Sequence, residues 1–196
     1  MKFNILTVLW RTKYLEKQYE SIPKKEDVNW ILCKSNLWKS NIPDYIKNSK
    51  DVNVIICDIN IKNKKESISD FILKINEGIK KVEDGFFYIL DDDNKIHEKT
   101  YKTYKEYKNK NYKMIIGEQI KSNNSIKLQA NYPFWGKIDM GNVICTTEIL
   151  KKINFDCVST KLEAYDWQFW LACFKEMEKE NVFLLNQICF YYNGLR

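Results

Sequence analysis

The stretch FFYILDDDN, residues 86–94, runs five apolar or aromatic residues straight into Asp91, Asp92 and Asp93. An uninterrupted apolar run of this length suits a strand buried on both faces, as strands of a parallel sheet are. Three adjacent carboxylates gain nothing from packing and repel one another, so their position asks for a reason. In open parallel sheets ligands bind beyond the carboxyl ends of the strands, and these aspartates lie at such an end. On an extended backbone residues i and i+2 point to the same side, so Asp91 and Asp93 are expected to converge while Asp92 points away. Two hard carboxylates on one side suit Mg²⁺ or Mn²⁺, which also take water and phosphate oxygens, and such an ion relieves the repulsion. A solvated turn is the plainer alternative. An EF-hand loop is excluded because the required glycine and ligand spacing are missing. No phosphate-cradling P-loop and no G-x-G-x-x-G occurs, and a single histidine, His97, leaves no His-based metal site or conventional triad.

Working outward, strand and helix patterns alternate through the first half. FNILTVLW (3–10), VNWILC (28–33), VNVIICDI (52–59) and FFYIL (86–90) read as strands. TKYLEKQYESI (12–22) has helical spacing and ends at Pro23. SISDFILKINEGIKKVEDG (67–85) is amphipathic, with Ile68, Phe71, Ile72, Ile75, Ile79 and Val82 on one stripe, Ser67 or Ser69 as a cap and Gly85 as a stop. This order predicts an α/β fold with a mostly parallel central sheet flanked by helices on both faces. In the second half, HEKTYKTYKEYKNKNY (97–112) reads as a polar surface helix with Tyr101 and Tyr104 turned inward. YKMIIGEQI and SIKLQAN form a hairpin across KSNNS, and NYPFWGKIDMGN (131–142) is a loop. VICTTEILKKI is a strand then a helix, KLEAYDWQFWLACFKEMEKE (161–180) is a helix, and VFLLNQICFYYN is a last strand. No repeat or linker divides 1–196, which is read as one domain: a nucleotide-binding half, 1–98, and an acceptor-side half, 99–196.

Composition bounds the partners. The chain has 196 residues, 44% hydrophobic, enough for a real core. With 32 Lys and Arg against 26 Asp and Glu the net charge is +6, but the basic residues are spread out, so no nucleic acid is expected. Six cysteines, none in C-x-x-C, sit mostly inside apolar runs. They read as buried thiols in a reducing, cytoplasmic setting. No apolar run reaches transmembrane length, and MKFNILTVLW lacks a signal-peptide cleavage site.

NEGIKKVEDGFFYILDDDN resembles the core of the GT-A glycosyltransferases, especially family-2-like enzymes, in which N-x-G-I on a helix precedes a strand ending in D-x-D. NILTVLWRT and VNWILCKSN are similar to the first two nucleotide-binding strands of that family. IDMGNVICTTEILKKINFD resembles its acceptor-side segment, and AYDWQFWLACF the E-D-W-x-x-W-L helix start that supplies a catalytic base. The resemblance covers nearly the whole chain in the family's order. It implies a metal-dependent transfer of a sugar from a UDP- or GDP-sugar to a glycan or glycoconjugate hydroxyl, with inversion. Asp93, with Asp91 directly or through water, would hold Mn²⁺ or Mg²⁺, and Asp91 or Asp92 would also touch the ribose or donor sugar. Asp166 would be the general base, with Glu163 as the alternative. Thr7 and Arg11 would line the nucleotide pocket, Arg11 as a bidentate partner of the diphosphate. The family's acid after the second strand is replaced here by Lys34, Ser35 and Asn36, so Asp58 is the candidate for the base, and Asn76 matches the motif asparagine. The family's late histidine is absent, leaving Asn193 or water in its place. Trp135 could stack on an acceptor sugar and Asp139 hydrogen-bond its hydroxyls, whereas Trp167 and Trp170 read as core. The alternatives are a nucleotidyltransferase, which would want a Gly-rich basic loop after the first strand, and a non-catalytic carbohydrate- or nucleic-acid-binding module, for which YKTYKEYKNKNYK (101–113) is the one candidate surface.

Overall fold

The computed structural model describes residues 1–37, 41–61, 67–133, 138–153, 165–192 and 194–195, without the side chains of 67–69, 165 and 166. One eight-stranded sheet organises them. Its strands are β1 (Lys2–Val8), β2 (Val28–Ser35), β3 (Asn53–Ile59), β4 (Gly85–Ile89), β5 (Met114–Lys121), β6 (Ile126–Leu128), β7 (Val143–Thr146) and β8 (Val182–Tyr192). The order is β3-β2-β1-β4-β7-β5-β6, with β8 beside β5. β1 to β4 are mutually parallel, β7 is antiparallel to both β4 and β5, β6 is antiparallel to β5, and β8 is parallel to β5. The sheet is therefore mostly parallel, with β6 and β7 reversed. The expected hairpin across KSNNS forms, and Asn124 takes the positive φ of 62° in its turn.

The helices are α1 (Leu15–Ser21), α2 (Asp44–Lys47), α3 (Ser67–Ile79), α4 (Glu98–Tyr107), α5 (Thr147–Leu150) and α6 (Tyr165–Lys175). Strand alternation sorts the core into two layers. Leu6, Val8, Ile31, Cys33, Phe87, Ile89, Ile116 and Val143 face Ile75 and Ile79 of α3, Ile149 of α5, and Phe169 and Trp170 of α6. Phe3, Ile5, Trp30, Leu32, Tyr88, Ile115 and Ile144 face Leu15 of α1, Ile46 of α2 and Tyr104 of α4. Each fully buried large apolar side chain contributes about 1.5–3 kcal/mol of transfer free energy. Trp170 is core as expected, and Trp167 packs half-buried beside it.

Two glycines explain local geometry. A Cβ on Gly78 would fall 2.1 Å from Leu6 Cδ1 and 2.7 Å from Cys33 Sγ, so the glycine of NEGI lets α3 lie tightly on β1 and β2. Gly85 does not stop α3, which ends at Ile79; it opens β4 at φ +152°, where an added Cβ would meet Lys2 O at 2.0 Å. The five described cysteines, Cys33, Cys57, Cys145, Cys173 and Cys189, are buried thiols, and Cys157 lies outside the described residues.

An asparagine ladder ties the amino ends of three strands. Asn4, Asn29 and Asn53 stand at one level of the register. Asn53 Nδ2 donates to Asn29 Oδ1 (2.9 Å), Asn29 Nδ2 to Asn4 Oδ1 (3.1 Å), and Asn4 Nδ2 to Glu83 O (2.8 Å). Asn4 and Asn29 are fully buried, so breaking the chain at its middle strands polar groups away from water. Asn29→Leu is expected to cost about 1–3 kcal/mol in urea unfolding; an unchanged midpoint would show that the ladder is incidental.

Candidate active site

The strand order 3-2-1-4 reverses direction between β1 and β4, the position where open α/β sheets leave a crevice at the carboxyl edge. The segment after β1 (Leu9, Trp10, Arg11) and the aspartates after β4 meet there: Leu90 N–H donates to Leu6 O at 2.9 Å, carrying the pairing one step past β4. The chain then turns, with Asn94 N–H donating to Asp91 O at 3.0 Å. Because of this turn Asp92 does not simply point away from its neighbours as a period of two would have it. Asp92 and Asp93, not Asp91 and Asp93, share a partner.

That partner is Arg11. Asp92 Oδ2 accepts the backbone N–H groups of Trp10 (2.9 Å) and Arg11 (2.7 Å), and its Oδ1 accepts Arg11 Nε (3.1 Å) and Nη2 (2.5 Å). Arg11 Nη2 also donates to Asp93 Oδ2 at 2.9 Å. The Asp92 and Asp93 side chains are 2% and 4% exposed, that of Arg11 38%. Hydrogen bonding to Asp92 raises the guanidinium pKa further, against the opposing effect of burial. Arg11, expected at a diphosphate, is thus an internal counter-ion of the acidic triplet.

Asp91 is placed differently. Its carbonyl accepts Gln18 Nε2 (2.6 Å), but among the described residues no hydrogen bond reaches its carboxylate. Burial, then the negative charges of Asp139, Asp93 and Asp92, push its pKa well above the usual carboxylate range, with Arg11 only partly opposing them. Asp139 caps the 3-10 turn Met140–Asn142: its Oδ1 accepts Gly141 N–H at 3.1 Å while Asn142 Oδ1 accepts the Asp139 N–H at 2.9 Å. This D-x-x-N capping box is legible in DMGN once the turn is known. Tyr88 Oη, buried in β4, donates to Gly141 O at 3.2 Å and so holds the turn against the end of β4. Burial also raises the Asp139 pKa, although its bond from Gly141 and the charge of Lys127 oppose the rise. The negative charge of Asp139 is thus felt at Asp91, and both carboxylates are half-buried.

The remaining expected residues scatter. Thr7 is fully buried and its hydroxyl accepts Trp30 Nε1–H at 3.1 Å, so it serves packing and not a nucleotide pocket. Asp58 lies on the carboxyl edge near the end of β3 and pairs with Lys34 at 2.7 Å. Asn76 is half-buried on α3, two residues from Lys74 and so on a different face of the helix. Asp166 stands in the first turn of α6, which packs against the Met140–Asn142 turn, but its side chain lies outside the described residues, as do Glu163, Trp135 and Asn193.

Two supports behind the triplet were not anticipated. Lys74, fully buried, pairs with Asp70 at 2.7 Å, donates to Leu9 O at 3.0 Å and lies 4.2 Å from the centre of the Trp10 ring. Burial lowers its pKa, which Asp70 opposes. The i, i+4 acid–base spacing of Asp70 and Lys74 was the available signal. Gln18 of α1 holds both Asp91 O and Asn94 O (2.6 and 2.9 Å). A cavity of about 790 Å³ opens at the opposite, amino edge of β1 and β4. There two of the four lining lysines, Lys113 and Lys151, pair with Glu148 (3.3 Å) and Asp84 (2.8 Å).

Comparison with solved structures places this architecture. Crystal structures of S. aureus TarS 1-349 superpose with a TM-score of 0.70 at 15% identity, covering 97% of this chain and 60% of that one. The fold is of the GT-A type. S. aureus TarS matches at TM-score 0.69 and 16% identity over 97% of this chain and 36% of that one, and TarS 1-349 in complex with UDP-GlcNAc at 0.67 and 14% over 98% and 58%. The chain therefore spans about 60% of TarS 1-349 or less. No protein-family profile and no curated protein sequence matches it. Among the described residues no helix is long and apolar enough to cross a membrane.

Proposed function

We propose that the chain is a metal-dependent glycosyltransferase that takes a nucleotide-diphosphate sugar, a UDP-sugar before a GDP-sugar, and transfers the sugar to a glycan or glycoconjugate hydroxyl. One observation carries the reading: at the β1/β4 crevice of a GT-A fold stands Asp91, half-buried and with a carboxylate that accepts no hydrogen bond among the described residues. The UDP-GlcNAc held by the TarS neighbour favours uridine. Among the described residues no group of three acidic, His or Cys side chains gathers to hold a metal. The fit to a hard divalent cation rests on Asp91, whose carboxylate accepts no hydrogen bond there, with substrate phosphate oxygens completing the shell, while Arg11 offsets one of the two charges of Asp92 and Asp93. Asp91, with Asp93 adjoining, would hold Mn²⁺ or Mg²⁺, which would supply Lewis-acid stabilisation of the departing diphosphate.

The chain's own groups do the rest. Arg11 fixes Asp92 and Asp93, Lys74 holds the segment after β1 that carries Arg11, and Asp139 meets the donor sugar or the incoming hydroxyl. Asp166, or Glu163 in its place, accepts the acceptor's proton as that oxygen bonds the anomeric carbon. The bond from that carbon to the diphosphate oxygen breaks on the far side, so the configuration inverts. In this reading Trp135 is the candidate stacking partner of the acceptor, and Asp58 and Asn76 are the candidates for contact with the nucleotide. Thermal melting tests the donor: Mn²⁺ plus UDP at about 100 times Kd is expected to add roughly 2.7 kcal/mol, or several degrees of Tm. EDTA or substitution of ADP should remove the shift, and no shift with UDP or GDP would sink the reading.

A further inference from the structure

We infer that Asn94 is a positioning residue of this site, clasping the chain that follows β8 to the aspartate loop and so fixing the backbone that presents Asp91 and Asp93. The inference rests on the sugar-transfer reading. Asn94 is 1% exposed and joins the aspartate loop, α1 and the end of β8 with the residues after it. Its N–H donates to Asp91 O (3.0 Å), closing the turn. Its C=O accepts Gln18 Nε2 from α1 (2.9 Å), the same amide that holds Asp91 O. Its Nδ2 donates to Tyr191 O at the end of β8, and its Oδ1 accepts Lys95 N–H and Gly194 N–H, both at 3.1 Å. Leu195 N–H then donates to Asp93 O at 3.1 Å. The carbonyls of Asp91 and Asp93 are thereby held separately, one by the turn and α1, the other by Leu195.

The amide is chemically specific here. The site needs one donor, toward Tyr191 O, and one acceptor, toward Gly194 and Lys95, in a planar group of this length. An aspartate at 94 would keep the acceptor, lose the donor, set a carboxylate against the Tyr191 carbonyl and add a fourth negative charge to the loop. Gly194 fits the clasp from the other side: an added Cβ would fall 3.2 Å from both Asn94 Oδ1 and Tyr191 Cβ. Groups that orient metal ligands from behind typically influence affinity or activity by 10- to 100-fold.

The test titrates Mn²⁺ with UDP into wild type, Asn94→Ala, Asn94→Asp and Gln18→Met, with circular dichroism confirming the fold and hydrogen exchange read at Gly194, Leu195 and Asn94. Asn94→Ala and Asn94→Asp should each weaken Mn²⁺ affinity about 10-fold or more and speed exchange at Gly194 and Leu195. Gln18→Met, which leaves the clasp to β8 intact, should weaken affinity without speeding exchange at Gly194. Should Asn94→Ala fail to fold, Asn94→Asp and Gln18→Met carry the test. Wild-type affinity in both Asn94 variants overturns the positioning role alone. A wild-type protein that takes up no Mn²⁺–UDP overturns the sugar-transfer reading, and this inference with it.

Discussion

Asp91→Asn is expected to lower metal-dependent turnover of a UDP-sugar by about 100-fold or more, while making the metal-free protein more stable. The activity loss follows from removing the one carboxylate of the triplet that carries no hydrogen bond among the described residues. A metal's contribution to charge stabilisation is several kcal/mol, at roughly 1.4 kcal/mol per tenfold in rate. The stability gain follows from burial and from the charges of Asp139, Asp93 and Asp92, which raise the Asp91 pKa. A raised carboxyl pKa means that the folded state holds the proton more tightly than the unfolded chain. Stability therefore falls as pH rises from the unfolded value near 4 through the higher folded value, and the ionised side chain is a burden at neutral pH. Asn removes that burden, so Tm at pH 7 should rise and its decline between acidic and neutral pH should flatten. Each kcal/mol relieved is about 2–4 °C in a chain of this length. Differential scanning calorimetry in EDTA with a donor-hydrolysis assay reads both halves. A variant that is less stable and fully active contradicts the assignment of Asp91.

Asp92→Ala should do the opposite. Asp92 receives four hydrogen bonds, from two backbone N–H groups and two guanidinium nitrogens. Its side chain is 2% exposed, so its loss leaves Trp10 and Arg11 donors aimed into a gap. Removing one partner of a buried pair costs about 3–5 kcal/mol; the 38% exposure of Arg11 screens part of it, which puts the expectation near 3 kcal/mol. Urea unfolding at pH 7 measures this. Asp92→Asn, which keeps an acceptor for the two backbone donors, should lose less. A Tm within a degree of wild type in the alanine variant would show that the Arg11 contacts do not support the loop. Adjacent residues of one triplet are thus expected to change stability in opposite directions.

Much of this was legible from local pattern. FFYIL reads as a buried strand because its neighbours cover both faces, and the sheet bears that out in Phe86 and Tyr88 on one side and Phe87 and Ile89 on the other. The GT-A resemblance of the motifs agrees with the fold. Less legible was the step from strand to loop. The period-two argument assumed that the backbone stays extended through Asp93, but it turns at Asp91 under bonds from Gln18 and Asn94. Gln18, like Arg11, comes from another element, and composition carries no sign of which distant side chain will meet which part of the loop. The same holds for the Asn4–Asn29–Asn53 ladder, since asparagine is a poor strand former and only the register aligns the three. Thr7 looked like a strand-end ligand because spacing cannot tell the face of β1 that meets Trp30 from the end that meets solvent.

The measurement closest to the central claim is a manganese anomalous difference map from crystals grown with Mn²⁺ and UDP. The account predicts one strong peak within coordination distance of an Asp91 carboxylate oxygen, bridged to the diphosphate in the crevice between β1 and β4 and absent in Asp91→Asn. A nucleotide bound instead in the lysine-lined cavity at the amino edge, with no manganese at Asp91, would contradict it.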